Sequence, residues 1–138
     1  MAKCDEFVAL RYFNVYGPGE GHKGSMSSVA LQSWNGKINK LFPKKPKRDF
    51  VYIEDVINAN IHAIDSPKGV YEVGSGEART FEDVLDNMDL PYNYHSEDKI
   101  PEWYQFYTKS DTSKWLPDWK PKYNLEKGIK KYKEYLSE

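Results

Sequence analysis

The sequence predicts an α/β fold, in which short strands alternate with helices along the chain. Three apolar runs of strand composition are separated by segments that have helical periodicity or helix-capping residues. Glycines and prolines stand between these segments, as expected where surface loops join strands and helices. Because the chain shows no internal repeat and no low-complexity tract, we expect residues 1–138 to form a single unit.

The predicted strands are rich in β-branched and aromatic residues, which favour extended backbone. The first run covers residues 7–16 and ends at Gly17 and Pro18, which interrupt a strand. The second run covers residues 49–53, and the third covers residues 70–73. Such a strongly apolar first strand is expected to need a neighbour on each side, and the other two runs are its candidates.

The predicted helices are marked by capping residues and by apolar residues at helical spacing. In the helix that opens at Asp55, the residues Ile57, Ile61 and Ile64 fall on one face. Thr80 and Asp83 have the spacing of a capping box, so a helix is expected over residues 80–88. A further short helix is expected over residues 25–34.

The last helix is expected to open at Asn124, a residue that commonly caps helix N-termini. Its apolar face is formed by residues at helical spacing, namely Leu125, Ile129, Tyr132 and Leu136. Lysines occupy much of the remaining surface of this helix.

Composition excludes several classes of protein. The net charge is −1, so bulk charge does not predict a polyanion-binding protein. Cys4 is the single cysteine, which rules out an intrachain disulfide and suits a reducing compartment. No apolar stretch is long enough for a membrane span, and the start lacks the apolar core of a signal peptide. We therefore expect a cytoplasmic protein without membrane attachment.

A glycine-rich loop follows the first predicted strand and contains His22, Lys23 and Ser25. Glycines let backbone N–H groups approach a ligand, and a helix start favours anions, so the loop predicts an anion site. Residues 19–24 also match the G-x-G-x-x-G dinucleotide pattern, but no acidic residue follows at the distance that would hold a ribose. A ligand-binding loop and an ordinary connection remain the two interpretations.

A basic turn at residues 43–48 contains Lys44, Lys45, Lys47 and Arg48 around two prolines. It could be a phosphate clamp with Arg48 as a planar donor, a solvated turn, or a nucleic-acid patch. Because Arg48 directly precedes a predicted strand that would hold its backbone rigid, Arg48 is favoured over the lysines as a ligand residue.

Neither a Y-x-x-x-K catalytic pair nor a histidine metal site is predicted. Tyr123 and Lys127 match Y-x-x-x-K, but the pattern crosses the predicted start of the lysine-rich last helix. His22, His62 and His95 have no metal-ligand spacing, so no metal site is expected.

Residues 11–18, Arg-Tyr-Phe-Asn-Val-Tyr-Gly-Pro, resemble the extended short-chain dehydrogenase/reductase family of nucleotide-sugar enzymes. Residues 47–56, 70–76 and 103–106 fit the same order of motifs. The Gly-His-Lys-Gly-Ser sequence at residues 21–25 is most similar to the ADP-heptose 6-epimerase group of that family. The resemblance implies the C-terminal part of such an enzyme, with the last strands of a Rossmann-type sheet and a small mixed substrate domain.

The resemblance also implies roles for individual residues. Lys23 would be the second catalytic acid/base and lie near the nicotinamide, while Val15 would contact the cofactor. The implied substrate contacts are Asn14, Ser25, Gln32, Phe42, Arg48 and Tyr104. Gln32 stands where the epimerase group has a histidine, and Trp103 replaces a basic residue before Tyr104, so the sugar is left open.

The activity implied by the resemblance is epimerisation of a nucleotide-diphosphate sugar with tightly held NADP or NAD. The glycine fingerprint and the Tyr-x-x-x-Lys pair of the family are absent from this sequence, so the chain would be inactive alone and would need a separate Rossmann half. Two alternatives stay open: a non-catalytic nucleotide-sugar-binding module and part of another extended-family epimerase or dehydratase. A nucleic-acid-binding protein that uses the basic turn ranks far behind them, so no nucleic-acid partner is expected. An incomplete sheet has an open edge, so a homo-oligomer is expected.

Overall fold

The computed structural model describes residues 6–138, and Cys4 lies outside the described residues. The strands are β1 (Val8–Tyr12), β2 (Asn14–Tyr16), β3 (Lys40–Leu41), β4 (Lys47–Tyr52), β5 (Gly69–Val73), β6 (Ala78–Thr80) and β7 (Asn93–Tyr94). The helices are α1 (Val29–Trp34), α2 (Ile53–Ala63), α3 (Phe81–Asn87) and α4 (Leu125–Leu136). The predicted α/β class is confirmed.

The first predicted strand is two strands that belong to different sheets. β1 pairs in parallel with β5, with Val8 opposite Gly69, whereas β2 pairs in parallel with β4, with Asn14 opposite Phe50. At the break, the N–H of Phe13 donates to the carbonyl of Val73 at 3.1 Å. The segment therefore joins two sheets, and Asn14 begins the strand in the second sheet.

β4 is the middle strand of a three-stranded sheet with the order β2-β4-β6. It runs parallel to β2 and antiparallel to β6, a strand that the sequence analysis did not predict. β3 and β7 form a separate parallel pair. Within residues 6–138, β1 has β5 as its one strand neighbour, so the other edge of β1 is open.

Two hydrophobic clusters lie on the two faces of β4. Phe50 and Tyr52 point into the cluster that also contains Leu85 and Ile129, whereas Val51 points into the cluster with Trp119. This alternation follows from the two-residue period of a strand. β4 is thus buried on both faces, and Arg48, its second residue, is held on a rigid element.

The isoleucine face of α2 differs from an ordinary core face. Ile57, Ile61 and Ile64 are 51%, 61% and 79% exposed, while Val56 and Ala59 pack inward. The predicted helix is present, but its neighbouring face, with Val56 and Ala59, packs into the second hydrophobic cluster. No described segment covers the isoleucines, so α2 presents an apolar stripe to solvent.

α4 agrees with its sequence pattern. The side chain of Asn124 accepts a hydrogen bond from the N–H of Lys127 at 2.9 Å, which caps the helix start. Ile129 and Tyr132 are buried against the first cluster. At Gly128 an added Cβ would lie 1.9 Å from the hydroxyl oxygen of Tyr16, so glycine is required for α4 to pack against this ring.

Two buried aspartates fasten distant loops to the core. Asp49 accepts hydrogen bonds from Ser75, Gly76 and Ser110, including the backbone N–H of each. Asp55 accepts from the N–H groups of Lys122 and Tyr123 at 2.8 and 3.0 Å. Burial raises the pKa of Asp55, and these two N–H groups partly oppose that shift. Both carboxylates accept hydrogen bonds from loop N–H groups that would otherwise need water as their partner.

The basic turn contains a strained backbone. Lys44 and Lys45 have φ angles of 72° and 49°, in the left-handed region that residues with a side chain seldom adopt. Pro43 and Pro46 flank them and restrict the turn further. The lysine side chains are exposed, and Lys44 makes one 3.8 Å ion pair with Glu97.

Candidate functional site

The Lys23 cavity, which is the larger of the two cavities that Val29 lines, opens where β2 ends and has a volume of about 510 Å³. Asn14 and Val15 of β2 form one side of it, and Lys23 of the following loop forms another. Leu125 and Ile129 of α4 and Val84 of α3 supply apolar walls. The structure therefore brings together three of the predicted residues: Asn14, Val15 and Lys23.

Lys23 is presented by a 3₁₀ segment, Gly21–Met26, that is exposed along its length. Its N–H donates to the carbonyl of Glu20 at 3.0 Å, which places its backbone one turn after that residue. Lys23 and Val15 also line an adjoining pocket of about 60 Å³. Lys23 thus borders both pockets, where its amine can carry a counter-charge or exchange a proton.

The predicted anion site at the start of α1 is wrong. Glu20 is 6% exposed, and its carboxylate accepts hydrogen bonds from the N–H and the hydroxyl of Ser28, the residue that caps α1. The loop supplies its own anion at the place where a ligand anion was expected. A dinucleotide pyrophosphate at this helix start would meet a carboxylate, which agrees with the poor fit of the glycine pattern.

A second cavity of about 270 Å³ is bordered by aromatic side chains. Phe42 packs edge-on against Tyr104, with ring centroids 4.9 Å apart, and it also lies 5.5 Å from His95. Val29 lines both this cavity and the larger one, so the two share a wall. The rings that border this aromatic cavity can stack on or pack edge-on against a flat ring.

Arg48 stands beside the aromatic cavity and is held between two of its rings. The guanidinium carbon lies 5.0 Å from the centre of Tyr104 and 5.6 Å from the centre of Phe81. One of its N–H groups donates to the carbonyl of Lys47 at 2.9 Å. Burial raises the pKa of the Tyr104 hydroxyl, and the Arg48 charge opposes this. Stacking restricts the guanidinium plane, as suits recognition of a phosphate oxygen pair.

The remaining predicted contacts do not line either cavity. The side-chain amide of Gln32 donates to the carbonyls of Ser25 and Ser27 at 3.3 and 2.7 Å. Ser25 itself is exposed on the 3₁₀ segment. Gln32 therefore supports the Lys23 loop from α1. Trp103 is 81% exposed beside Tyr104.

Sequence reasoning missed three residues that shape the site. Glu20 closes the Lys23 loop, Val29 divides the two cavities, and His95 completes the aromatic border. An acidic side chain between two loop glycines is the sequence signal that could have identified Glu20. Among residues 6–138, no group of three or more His, Cys, Asp or Glu side chains could hold a metal ion.

The model of the NAD dependent epimerase/dehydratase family matches residues 2–74, which is more than half of the chain. The chain belongs to this family. The matched region includes Lys23 and Arg48, and it ends at the turn after β5. The resemblance read from the motifs at residues 11–25 and 47–56 is confirmed at the level of the family.

Solved structures of nucleotide-sugar epimerases share the fold. The ADP-L-glycero-D-manno-heptose 6-epimerase of Helicobacter pylori is 35% identical, with a TM-score of 0.76, over 94% of this chain. The UDP-glucose 4-epimerase of Thermotoga maritima, solved with UDP-glucose, is 26% identical, with a TM-score of 0.77, over 96% of this chain. The UDP-glucose 4-epimerase of Thermus thermophilus, solved with NAD, is 26% identical, with a TM-score of 0.69, over 96% of this chain.

The similarity covers less than half of these epimerases. The chain spans 44%, 46% and 47% of the Helicobacter, Thermotoga and Thermus chains, respectively. The structure is consistent with a fragment of a Rossmann-type epimerase. Within residues 6–138, no helix has the length and apolar character needed to cross a bilayer.

Proposed function

We propose that this chain is the C-terminal, substrate-binding part of a nucleotide-sugar 6-epimerase of the ADP-heptose type. The observation that carries the proposal is the position of Arg48. Its guanidinium is stacked between Tyr104 and Phe81, beside an aromatic cavity that shares the wall at Val29 with the Lys23 cavity. A ring, a diphosphate and a sugar require these three environments close together.

In the proposed complex, the nucleotide base enters the aromatic cavity against Phe42 and Tyr104. Arg48 donates paired hydrogen bonds to the diphosphate, since a planar guanidinium suits two phosphate oxygens. The sugar then lies in the larger cavity, where Asn14 and Lys23 can reach its hydroxyl groups. Ser25 and Gln32 act on the sugar through the loop, because the Gln32 amide holds the carbonyl of Ser25.

Lys23 is the proposed acid/base of this half. Its amine borders the sugar cavity, so it can take a proton from a sugar hydroxyl or return one. A bound dinucleotide, NADP or NAD, would supply hydride chemistry next to Val15 and Lys23. Those two residues fit the reactive end of such a cofactor, whereas Glu20 occupies the helix start that its pyrophosphate would need. Binding of the pyrophosphate is therefore assigned to a Rossmann half.

The ADP-heptose assignment is supported by the His22-Lys-Gly-Ser motif and by the 35% identity to the Helicobacter enzyme. A member of the same family with another sugar or nucleotide is the competing assignment, since the UDP-glucose epimerases share the fold at a similar TM-score.

The proposed partner half docks at the open edge of β1 and the exposed isoleucines of α2. These surfaces adjoin, because the hydroxyl of Tyr12 donates to the side-chain oxygen of Asn60 at 2.9 Å. The open edge of β1 can pair with a further parallel strand. The apolar stripe on α2 can pack against the helix that follows that strand. A homo-oligomer and a cytoplasmic location are part of this proposal.

Calorimetric titration tests the binding assignment. We expect the chain to bind ADP-heptose more tightly than UDP-glucose, and we expect Arg48→Ala to abolish the heat of binding. Lys45→Ala is the matched control, because Lys45 lies in the same basic turn and is exposed. Absence of heat with the unchanged chain, or an equal loss in both variants, would overturn the assignment.

An activity assay tests whether the chain is part of an enzyme. The chain is mixed with a separately expressed Rossmann half of a heptose epimerase, and epimerisation of ADP-heptose is followed. We expect activity in the mixture and none with Lys23→Met. Sugar binding without any activity in the mixture would instead identify a non-catalytic nucleotide-sugar-binding module.

A further inference from the structure

Glu20 has an environment that its place in a glycine loop does not predict. It is 6% exposed, and its carboxylate accepts four hydrogen bonds. The donors are the N–H of Gly17 at 2.9 Å, the N–H and hydroxyl of Ser28, and the hydroxyl of Tyr132 at 3.0 Å. A buried carboxylate is retained at low cost only when it is fully hydrogen-bonded, as it is here.

The donors stand at both ends of the loop that carries Lys23. Gly17 follows β2, and Ser28 caps α1, so one carboxylate joins the first and last residues of the loop. The carbonyl of Glu20 also accepts the N–H of Lys23 at 3.0 Å. The backbone of Glu20 therefore fixes the position of the Lys23 backbone directly.

The fourth donor connects the loop to a cavity wall. Tyr132 belongs to α4, and Ile129, one turn earlier on the same helix, lines the larger cavity together with Lys23. The ring of Tyr132 lies 6.3 Å from that of Tyr16, the last residue of β2. Strand, loop and helix thus meet at the Glu20 carboxylate.

We propose that Glu20 is a positioning residue, which holds the amine of Lys23 at the sugar cavity and couples the loop to α4 through Tyr132. The effect of Lys23 on a bound sugar rests on the function proposed above. The hydrogen bonds by which Glu20 joins the two ends of the loop, here called the clamp, do not depend on that function. A competing explanation is that Glu20 only satisfies buried donors and adds stability without controlling the loop.

Hydrogen exchange and amine labelling separate the two explanations. Glu20→Gln keeps the side-chain volume but turns one carboxylate oxygen into an NH₂ group. This group faces at least one of the four donors, so the clamp is weakened. We expect the hydrogen-bonded N–H groups of this loop, among them those of Gly17, Lys23 and Ser28, to exchange at least about tenfold faster. The labelling rate of Lys23 by an N-hydroxysuccinimide ester should change at least about threefold, with other lysines unaffected.

Thr80→Ala is the matched control, because it removes the hydrogen-bonded cap of α3 and leaves all four donors to Glu20 in place. It should lower global stability without changing exchange at residues 17–28. Tyr132→Phe removes only the fourth donor and keeps the ring, so it should give a smaller loop effect of the same sign. It also decides the question if Glu20→Gln does not fold. Unchanged loop exchange and Lys23 labelling in the folded variants would overturn the clamp.

A ligand measurement tests the positioning role separately. With Glu20→Gln, or with Tyr132→Phe if the former does not fold, ADP-heptose should bind at least about fivefold more weakly while ADP binding is unchanged. The reason is that the Arg48 and Tyr104 contacts lie outside the loop. An equal loss for ADP and ADP-heptose would overturn the positioning role. If the unchanged chain binds neither compound, the proposed function fails, and loop exchange still decides the clamp.

Discussion

At the scale of single residues, Gly128 shows how closely α4 packs against the sheet. An alanine there would place its Cβ 1.9 Å from the Tyr16 hydroxyl oxygen and 3.3 Å from the Tyr52 Cβ. Alanine is favoured over glycine within helices by about 1 kcal/mol, but overpacking costs about 1–3 kcal/mol. The difference between these two effects predicts that Gly128→Ala lowers the free energy of unfolding by up to about 2 kcal/mol in urea denaturation.

Two companion variants make that expectation specific. Gly21→Ala should be close to neutral, because no atom lies within 4 Å of its added Cβ. Adding Tyr16→Phe to Gly128→Ala should recover part of the loss, since it removes the nearest clashing atom. Greater stability of Gly128→Ala than of the unchanged chain would show that α4 shifts freely at this position.

Asp49 is a second residue whose effect can be stated in advance. It is fully buried, and both oxygens accept from backbone N–H groups. In Asp49→Asn one of those oxygens becomes an NH₂ group that faces a donor, so we expect a loss of about 3 kcal/mol in the free energy of unfolding. Asp111→Asn, at an exposed aspartate that bonds Ser113, should cost less than about 1 kcal/mol. Comparable losses in the two variants would contradict the buried role.

At the scale of elements, Arg79 connects β6, α3 and α4. Its guanidinium lies 2.7 Å from a Glu126 oxygen and 3.2 Å from an Asp83 oxygen. The hydrogen bond from Arg79 is the main cause of the lowered pKa of Glu126, which burial partly opposes. At Asp83, burial raises the pKa of the carboxyl. Hydrogen bonds from the backbone N–H of Thr80 and from the Arg79 side chain outweigh this and lower the pKa.

The sign of the pH dependence follows from these shifts. A carboxyl whose pKa is lower in the folded state adds stability above its unfolded pKa, and this stability is lost as the pH falls through the folded pKa. Arg79→Met should therefore cost about 1 kcal/mol near pH 7, after allowance for partial exposure, and much less near pH 3. Urea denaturation at both pH values measures this, and an equal cost at both would assign the effect to packing alone.

At the scale of the whole molecule, the open edge of β1 and the stripe formed by Ile57, Ile61 and Ile64 leave apolar surface uncovered. We expect the chain alone to associate with rising concentration in sedimentation velocity, and Ile61→Lys to shift it toward the monomer. Tyr135→Lys, at an exposed ring on α4, should leave association unchanged. A monomer at every concentration would contradict this expectation.

Local signals account for what the sequence predicted well. The capping box of Thr80 and Asp83 and the cap at Asn124 involve residues three apart, and both are present in the structure. The strands at residues 49–53 and 70–73 are also present, within a few residues, because their apolar runs are continuous. β6 was missed because its three residues, Ala78–Thr80, have no apolar pattern.

Long-range contacts account for what the sequence could not predict. The break at Phe13 exists because β5 and β4 take different parts of one apolar run, which local composition does not specify. The role of Glu20 depends on Tyr132, 112 residues later. The grouping of Phe42, Arg48 and Tyr104 was implied by family resemblance, whereas their stacking geometry required the fold.

The left-handed backbone at Lys44 and Lys45 affects how the charge of the basic turn can be studied. Alanine at either position removes the ammonium group and keeps the unfavourable φ angle, whereas glycine removes both at once. Comparing the two substitutions at one position therefore separates electrostatic attraction from conformational relief. A glycine variant that melts at a higher temperature than its alanine counterpart would measure how much the turn costs the chain to adopt.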